Sequence, residues 1–297
     1  MKDEVYLSTA ITAAKKAGAL IKKEYGHGSR VSYSYKDAHN IVTKTDIESE
    51  SIIISTIQEK FPNHSIFSEE KGAIENSSDY LWIIDPLDGT TNFSRKLPYF
   101  CVSIGFSYKN ELLMGVIYQP ITDELFTALK SKGAFLNGRI IRIHKSAQIE
   151  RAVIAHSRGA TSQEKTQSGH IVNALSKTTH TLRMLGSAAL NLCQTASGTF
   201  DAVVANGLVS YDIAAGLVIA KEAGAIITDF KGKPWNLTLG RSDILVSNRT
   251  LHKQLIHILK PISSEARNKV LQKQVLISSE ATCPPKPRRR RGNKVLI

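Results

Sequence analysis

Strand-like and helix-like segments alternate along most of the sequence, and this alternation favours folds built from layered sheets and helices. Apolar residues recur at helical spacing from Leu7 to Tyr25, and Gly26 ends that pattern. β-Branched and aromatic residues then dominate residues 80–119. The sequence therefore predicts the α/β (α+β) class. Strands are expected at residues 81–84, 100–107, 112–118, 124–129, 133–136, 152–156, 181–185, 202–205, 225–228 and 244–247, and later helices at 167–177, 188–196, 213–223 and 251–259.

A second helix is expected early in the chain. Thr45 and Glu48 have the spacing of a capping box, which predicts that the helix begins at Thr45. Ile47, Ile54, Ile57 and Phe61 fall on one side of it, and Pro62 ends it.

The pattern changes near residues 142–150, and past this point strands and helices take turns one by one. We therefore predict two halves that pack closely together, followed by a tail. The predicted divisions are an N-terminal α+β half at residues 1–145, a C-terminal α/β half at residues 146–262 and a flexible basic tail at residues 263–297.

Positive charge concentrates in this tail. The chain has a net charge of +13, and residues 263–297 hold nine of its 39 Lys and Arg residues but two of its 26 Asp and Glu residues. The tail includes a run of four arginines from Arg288 to Arg291 and repeats short pieces of its own sequence. A segment of this composition has little to bury, which predicts flexibility. It is either a solvated extension or a weak contact for nucleic acid or an acidic surface.

Cysteine usage and the N-terminus indicate the compartment. Cys101, Cys193 and Cys283 are far apart and form no Cys-x-x-Cys pair, which argues against a disulfide framework or a cysteine zinc site. The N-terminus is charged, and no apolar run approaches the roughly 18–20 residues of a membrane span. The sequence therefore predicts a cytoplasmic protein without a membrane span.

The strongest chemical signal is the block at residues 85–93, Asp-Pro-Leu-Asp-Gly-Thr-Thr-Asn-Phe, which follows an apolar strand. Its proline and glycine turn the chain out of the sheet, so Asp85, Asp88 and the Leu87 carbonyl are presented at the end of the strand. Oxygen donors at short spacing, without His or Cys, suit Mg²⁺ rather than zinc. The polar residues that follow can expose backbone N–H groups to a phosphate. The alternative is a turn that merely caps a helix.

Three further acidic positions can converge on this block. Glu69 follows an apolar pair at the end of an expected strand, although such residues are often only solvated surface. Asp212 and Asp46 stand where helices begin, so each can also be an ordinary capping carboxylate. Gly186 and Ser187 form a turn into a helix that can contact a ligand.

Signatures of other enzyme classes are absent from the sequence. Gly26 and Gly28 lack the third glycine of a dinucleotide fingerprint, and no phosphate-binding P-loop, His-Glu-x-x-His or Gly-x-Ser-x-Gly motif occurs. The nine histidines form no ligand-spaced cluster, so His144 and His156 are expected at the surface or in the core.

Taken together, these residues resemble the inositol monophosphatase family. The block at residues 85–93 is preceded by Glu69-Glu70 and followed by Gly186-Ser-Ala and Tyr211-Asp-Ile-Ala-Ala-Gly, in the family's order over about residues 5–260. The resemblance implies a layered αβαβα sandwich of the sugar-phosphatase type and a homodimer. It also implies lithium-sensitive, Mg²⁺-dependent hydrolysis of a phosphate monoester.

The resemblance further implies roles for individual residues. Glu69 and Thr90 would orient the attacking water, Asp46 would hold the Thr90 hydroxyl, and Lys36 would supply a basic group near the metals. A phosphate monoester resists attack by anions, so clustered cations must neutralise it and activate a bound water. The implied ligands of two or three Mg²⁺ ions are Glu69, Asp85, the Leu87 carbonyl, Asp88 and Asp212. The implied substrate contacts are Asp88, Gly89, Thr90, Thr91, Gly186, Ser187, Ala188, Ala205 and Asp212.

Three positions depart from the family's pattern. Tyr211 stands where Trp is usual, and Asn40 stands where Asp is common. Ala205 stands where inositol-specific members carry a Glu that binds a ring hydroxyl. Because Ala205 cannot accept such a hydrogen bond, we expect broad substrate tolerance, with inositol 1-phosphate only weakly favoured.

The sequence thus predicts a phosphatase acting on a small phosphorylated metabolite, with inositol 1-phosphate as the default substrate. Histidinol phosphate, 3′-phosphoadenosine 5′-phosphate and fructose 1,6-bisphosphate are alternatives with the same chemistry. A hypothesis of another class is an RNA- or complex-binding regulatory factor with secondary phosphatase activity. It is motivated by the basic tail and by the regulatory roles of some bacterial members of the family that the chain resembles.

Overall fold

The computed structural model of this chain describes residues 2–28, 31–37, 40–145 and 148–262. The predicted basic tail lies outside the described residues, so its flexibility stays a prediction.

One sheet of eight strands belongs to the N-terminal half. It follows a small ribbon of β1 (Ser34–Tyr35) and β2 (Ile41–Val42). The eight strands are β3 (Ser65–Ser68), β4 (Gly72–Ile74), β5 (Tyr80–Asp88), β6 (Cys101–Tyr108), β7 (Glu111–Gln119), β8 (Glu124–Leu129), β9 (Gly133–Leu136) and β10 (Arg139–Ile141), in the order β10-β9-β8-β7-β6-β5-β3-β4. Strands β3 and β5 pair in parallel, whereas the other neighbouring strands pair antiparallel. The carboxyl ends of β3 and β5 therefore lie at the same edge of the sheet.

A second sheet of five strands belongs to the C-terminal half. Its strands are β11 (Val153–Arg158), β12 (Thr181–Arg183), β13 (Ala202–Leu208), β14 (Ile226–Thr228) and β15 (Ser242–Ser247), in the order β12-β11-β13-β15-β14. Strand β11 runs parallel to β13, and β15 runs antiparallel to β13. The carboxyl ends of β11 and β13 and the amino end of β15 consequently share one edge.

The helices alternate with these sheets in layers. They are α1 (Lys2–Gly26), α2 (Lys44–Lys60), α3 (Thr90–Ser94), α4 (Ser162–Ser176), α5 (Ala188–Ala196), α6 (Ser210–Glu222) and α7 (residues 249–262), with a 3-10 turn at Ile149–Arg151. Helices α1 and α2 cover the outer face of the eight-stranded sheet, α5 and α6 lie between the two sheets, and α4 and α7 cover the five-stranded sheet. This arrangement confirms the αβαβα sandwich.

Three apolar clusters fill the spaces between these layers. Ile53 of α2 and Trp82 of β5 belong to the first cluster, Leu192 of α5 to the second and Leu245 of β15 to the third, and all are fully buried. Burial of one such aliphatic side chain contributes about 1.5–3 kcal/mol. The helices are therefore held in place mainly by the faces that they present to the sheets.

Helix α6 lies unusually close to the eight-stranded sheet. Gly105 and Gly115 are paired on β6 and β7, directly beneath the helix. A Cβ atom on Gly115 would collide with the Ala215 carbonyl oxygen, and one on Gly105 would meet the Ala214 Cβ at 3.1 Å. The helix backbone thus rests on the sheet backbone, which fixes Asp212, in the first turn of α6, relative to that sheet.

Two details predicted for the second helix are wrong: its start at Thr45 and the place of Ile47, which is 50 % exposed while Ile54 and Ile57 are buried. The N-cap of α2 is Thr43, whose side chain accepts from the Asp46 N–H, while the Asp46 carboxylate accepts from the Thr43 N–H at 2.9 Å. Glu48 instead forms an ion pair with Lys44 at 3.0 Å. The box is therefore displaced by two residues, because Asp46 and not Glu48 is the acid that reaches the cap.

The two sheets divide the described chain near the predicted boundary. The eight-stranded sheet ends at Ile141, and the five-stranded sheet begins at Val153. Because α6 of the second half packs on the first sheet, separate domains at residues 1–145 and 146–262 stay a prediction. None of the described helices combines the length and the apolar composition that crossing a membrane requires.

Candidate active site

Two carboxylates lie directly after the last paired residues of the parallel strands β3 and β5. Ser68 pairs with Ile84, and the next residue, Glu69, donates its backbone N–H to the Ile84 carbonyl at 3.1 Å. Asp85 comes directly after Ile84 and is only 2 % exposed. The parallel pairing thus brings Glu69 and Asp85, which are far apart in sequence, to the same edge of the sheet.

Asp88 lies against the N-terminus of α5. Its carboxylate accepts from the Ser187 hydroxyl at 2.5 Å, the Ala189 N–H at 2.7 Å and the Ala188 N–H at 3.3 Å. Burial raises the pKa of Asp88 to about 6, although these hydrogen bonds oppose the rise. The N-terminus of a helix stabilises negative charge. The turn at 186–188 therefore holds Asp88 as well as facing the ligand space.

Asp212 reaches the same region from α6. Its carboxylate accepts from the Val209 N–H at 2.8 Å, so it also stabilises the start of its own helix. Burial, together with the negative charges of Glu69 and Asp88, raises its pKa well above the usual range. The capping role and a functional role are thus compatible for Asp212.

Glu69, Asp85, Asp88 and Asp212 repel one another across a small volume. Burial and then the charges of Glu69, Asp88 and Asp212 raise the pKa of Asp85 well above its ordinary value. Bringing carboxylates together in a poorly solvated place is unfavourable unless a cation or protons compensate. The donor set consists of oxygen atoms, which fits a hard divalent cation.

These carboxylates are turned toward partners of the protein itself. Within the described residues, no three His, Cys, Asp or Glu side chains already have the geometry of a metal site. Asp88 is held by α5, Asp212 by Val209, and Glu69 by the Lys36 ammonium at 2.8 Å. A carboxylate carries about four lone-pair sites, so these hydrogen bonds leave acceptor capacity for an ion.

A hydroxyl group stands beside the carboxylates. The Thr90 hydroxyl donates to the Asp46 carboxylate at 2.7 Å and lies 3.1 Å from the Leu87 carbonyl oxygen. Asp46 is fully buried and is fixed by its hydrogen bonds to Thr43. The capping box of α2 thereby sets the orientation of Thr90. Gly89, at φ +96°, turns the chain into α3, and a Cβ there would lie 2.9 Å from the Tyr99 carbonyl oxygen.

The loop that carries Glu69 has two further anchors. The Lys36 ammonium bridges Glu69 and Glu70, at 2.8 and 2.5 Å. Burial opposes the charge of Lys36, but the two carboxylates outweigh it and raise the pKa of Lys36. Glu50 is fully buried and accepts from the backbone N–H groups of Glu70 at 3.0 Å and Lys71 at 3.1 Å. Sequence reasoning missed Glu50, because its position on α2 resembles that of any helical glutamate.

A cavity of about 670 Å³ opens beside these groups, a size typical of sites for small metabolites. Glu69, Asp88, Asp212 and the turn at 186–188 line it, whereas Asp85 and Leu87 are buried and do not. The four carboxylates and this turn are named the carboxylate wall. Strand ends of the five-stranded sheet line another part of the cavity. The predicted site residues that line the cavity are Glu69, Asp88, Gly89, Thr90, Thr91, Gly186, Ala188 and Asp212.

The comparisons with known proteins follow this geometry. The model of the inositol monophosphatase family matches residues 2–264. The chain belongs to the inositol monophosphatase family. Nus factor SuhB of Haemophilus influenzae is 39% identical over 258 residues, covering 86% of this chain and 96% of that protein. Inositol monophosphatase of Mesembryanthemum crystallinum is 36% identical over 262 residues, with coverage of 86% and 96%.

The fold is likewise that of solved structures in the family. The structure of extragenic suppressor protein suhB from Bartonella henselae superposes with a TM-score of 0.80 at 32% identity, covering 86% of this chain and 98% of that one. Family membership and these relatives make the chain a phosphomonoesterase of a generally metal-dependent family.

Two residues that the family resemblance implied as substrate contacts, Ser187 and Ala205, do not line the cavity. Ser187 is buried and donates its hydroxyl to Asp88. Ala205 is fully buried on β13, packed in the apolar cluster between the sheets, and it does not line the cavity. Its side chain ends at Cβ and cannot extend from the strand to the ligand space. The assignment of Ala205 as a substrate contact is therefore corrected to a core position.

Two cavity residues escaped sequence reasoning. Arg158 ends β11, and Arg241 immediately precedes β15, so both lie at the shared edge of the five-stranded sheet. Ligands of α/β proteins often bind at such strand ends. The search for polar residues at the ends of predicted strands, which identified Asp85, could also have identified Arg158. His156 is a satisfied core residue, as expected, since its ring nitrogens lie 2.7 Å from the Val204 carbonyl and 2.7 Å from the Ser168 hydroxyl.

Proposed function

We propose that this chain hydrolyses small phosphate monoesters with Mg²⁺ and that inositol 1-phosphate is one of its substrates. The observation that carries the proposal is the gathering of Glu69, Asp85, Asp88 and Asp212 around one end of a cavity beside the Thr90 hydroxyl. A set of repelling carboxylates with oxygen donors only is suited to divalent cations and not to a covalent nucleophile.

The side chains divide the work between ion binding and positioning. The proposed ligands of two or three Mg²⁺ ions are Glu69, Asp85, the Leu87 carbonyl, Asp88 and Asp212. Bound Mg²⁺ would neutralise phosphate oxygens and lower the pKa of a water molecule. Glu69 and the Thr90 hydroxyl, held by Asp46, would orient that water, while backbone N–H groups of residues 89–91 would hold the phosphate.

The alcohol portion of the substrate is the finer part of this proposal. Because Ala205 is a buried alanine, it supplies no acceptor for an inositol hydroxyl. We therefore expect inositol 1-phosphate to be favoured only weakly over other small phosphate monoesters with one phosphate, such as histidinol phosphate. The alternatives 3′-phosphoadenosine 5′-phosphate and fructose 1,6-bisphosphate complete the substrate panel. A charged hydrogen bond of the missing kind contributes about 1.5–3 kcal/mol, or tenfold to a hundredfold in selectivity.

Release of inorganic phosphate from this panel, with and without Mg²⁺, tests the proposal. We expect turnover of inositol 1-phosphate that EDTA abolishes and that added Mg²⁺ restores. Turnover that persists in EDTA would contradict the metal assignment. A thousandfold preference for inositol 1-phosphate would show that another residue supplies the contact that Ala205 lacks.

Three finer properties belong to the same proposal: two rest on the family resemblance, and the third, the location, rests on the cysteine usage and the charged N-terminus. We propose a homodimer, inhibition of the phosphatase by Li⁺ and residence in the cytoplasm. Light scattering of the purified chain tests the first, and Li⁺ titration of phosphate release tests the second. Fractionation of cells that express the chain tests the third.

A second candidate function is that of a regulatory factor that binds RNA or a larger complex. Two observations favour it: the relative at 39% identity is named a Nus factor, and residues 263–297 are strongly basic. Binding of a labelled RNA by the full chain and by a chain ending at residue 262 tests it. Salt-sensitive binding that is lost with the tail would support this function, whereas equally weak binding by both chains would count against it.

A further inference from the structure

The cavity lining also carries two arginines, one of which, Arg241, is near enough to Asp212 for its positive charge to oppose the rise that burial causes in the pKa of that carboxyl. Arg158 and Arg241 both line the cavity, together with the strand ends of the five-stranded sheet. The proposed hydrolysis of a phosphate monoester uses the carboxylate wall and the turns beside it. Neither the binding of the ions nor the positioning of the water requires a guanidinium group. Arg158 and Arg241 are named the arginine wall below.

Two acceptors of the protein hold the Arg241 guanidinium in place. Its Nη1 donates to the Gly207 carbonyl at 2.8 Å and forms an ion pair with Glu164 at 3.3 Å. The Glu164 carboxylate fits there because Gly159 and Gly207 have no side chains, since a Cβ on either glycine would collide with it. Glu164 is itself fixed, because it accepts from the Thr161 N–H at 2.9 Å in the capping box of α4.

Both guanidinium groups keep donors for a ligand. The protein contacts of Arg241 engage Nη1, which leaves Nη2 and Nε of a group with five N–H donors. Arg158 donates from Nη1 to the carbonyl of its neighbour Gly159 at 3.1 Å, and within the described part of the chain it pairs with no carboxylate. Arg158 has no carboxylate partner, and Arg241 is oriented by Glu164. Together they can bind an anionic group of a ligand in this part of the cavity.

We propose that Arg158 and Arg241 bind a second phosphate group of the substrate, so that the preferred substrates are small alcohols carrying two phosphates. This inference rests on the proposed function, because the first phosphate is placed at the carboxylate wall. The planar guanidinium matches the geometry of phosphate oxygens and forms paired hydrogen bonds with them. The cavity volume of about 670 Å³ has room for more than the phosphate that is hydrolysed.

A purely structural role for the arginine wall makes a different prediction. If Arg241 served only to neutralise Glu164, its loss would lower stability and affect every substrate to the same degree. Arg158 has no such partner, so a structural role gives no reason for it to influence substrate choice. The ratio of activities on matched substrates therefore separates the two roles.

The experiment compares substrates that differ by one phosphate. The pairs are inositol 1-phosphate with inositol 1,4-bisphosphate, and fructose 1-phosphate with fructose 1,6-bisphosphate, each assayed with the full chain and Mg²⁺. We expect kcat/KM to be about ten- to hundredfold higher for the bisphosphate in at least one pair, mainly through a lower KM. In R158Q and R241Q this ratio should fall toward one. R139Q, which changes an exposed arginine on β10, is the matched control and should keep the ratio.

The outcomes separate the inference from the function on which it rests. Equal kcat/KM within both pairs for the unaltered chain would overturn the arginine wall as a phosphate subsite and leave the phosphatase assignment standing. An unchanged preference for the bisphosphate in both R158Q and R241Q would overturn it as well. Hydrolysis of none of the four compounds, with the chain shown to be folded by its melting curve, would overturn the proposed function and the inference with it. If R241Q does not fold, R158Q and the charge reversal R158E carry the test.

Discussion

The carboxylate wall and the arginine wall face the same cavity but are built differently. Asp85 and Asp88 are 2 % and 8 % exposed, and the Asp88 carboxylate accepts three hydrogen bonds from α5. On the other side, the Arg241 side chain is 45 % exposed and Arg158 is exposed as well. Buried carboxylates need fixed partners, whereas exposed guanidinium groups stay in contact with water and keep N–H donors that a ligand can take. The contrast assigns reaction geometry to one wall and substrate choice to the other.

The largest expected effect is on the carboxylate wall. Replacing Asp88 by Asn substitutes a neutral amide for an anionic ligand, so we expect kcat/KM to fall at least about a hundredfold. The amide oxygen can take the place of Oδ2 and still accept from the Ser187 hydroxyl and the Ala189 N–H, so the chain should remain folded. Phosphate release over a range of Mg²⁺ concentrations, with a melting curve, measures both effects.

The matched control for this change is Asp79→Asn. Asp79 is exposed and precedes the opposite end of the same strand, β5. Its substitution should leave activity within about twofold, because surface changes of this kind are nearly neutral. Near-normal turnover of Asp88→Asn at low Mg²⁺ would remove Asp88 from the ligand set and weaken the contrast between the walls.

A smaller effect is expected from the hydroxyl group within the carboxylate wall. Thr90→Val keeps the shape of the side chain but removes the hydrogen bond to Asp46. We expect kcat to fall about ten- to hundredfold with little change in KM, because the hydroxyl positions the attacking water and not the substrate. Thr166→Val on the exposed face of α4 is the control. A loss confined to KM would move Thr90 from positioning water to binding substrate.

The activity of the two walls can be compared at different pH values only if the stability of the fold is measured separately at each pH. Burial lowers the pKa of His252 to about 4, and its ring nitrogens lie 2.9 Å from the Thr228 and Ser247 hydroxyls of the five-stranded sheet. The usual pKa is about 6.5, so the unfolded chain takes up this proton first. The free energy of unfolding should therefore fall between about pH 6.5 and pH 4, by on the order of 2 kcal/mol.

Urea unfolding at pH 7 and pH 5 measures this effect. His252→Gln should flatten the dependence, whereas His257→Gln, an exposed histidine on the same helix, should not. If His252→Gln leaves the slope intact, another group controls the stability of the sheet that carries the arginine wall. A loss of activity at low pH could then not be attributed to unfolding caused by protonation of His252.

The smallest effect is expected outside both walls. A chain that ends at residue 262 should keep its melting temperature and its rate of phosphate release, because the sequence of residues 263–297 lacks a periodic apolar face. Comparing the two chains by calorimetry and by phosphate release measures this. A marked fall in either quantity would make the tail part of the fold or of the active site.

The two walls also differ in how far the sequence could predict them. The residues of the carboxylate wall include the contiguous block at residues 85–93, which revealed Asp85 and Asp88 together. The expectation that the chain leaves the sheet at Pro86 is wrong, because β5 continues to Asp88 with a shift in register after Asp85. The arginine wall joins Arg158 to Arg241, which are brought side by side only by the pairing of β11, β13 and β15. No local pattern records that pairing, and neither arginine has a neighbour that hints at a ligand.

Local chemistry also misled the sequence analysis where tertiary structure decides. Thr45 and Glu48 have the spacing of a capping box, but Thr43 and Asp46 form it, because Asp46 is the acid that is buried against Thr90. Ala205 aligns with a ligand-binding position, yet a methyl group on a buried strand cannot leave the core. The order of layers was predictable because periodicity reports which face of each element is apolar.

The contact between α6 and Gly115 has a consequence for ion selectivity. Because the helix backbone rests on the sheet, Asp212 cannot move away from Asp85 and Asp88 without separating two packed layers. The spacing between these three carboxylates is therefore fixed. Mg²⁺ requires oxygen atoms at about 2.0–2.1 Å in an octahedron, whereas Ca²⁺ needs about 2.3–2.6 Å and a larger shell. Because the carboxylate spacing cannot adjust, the site discriminates between the two ions by size. Ca²⁺ is expected to bind there without supporting turnover.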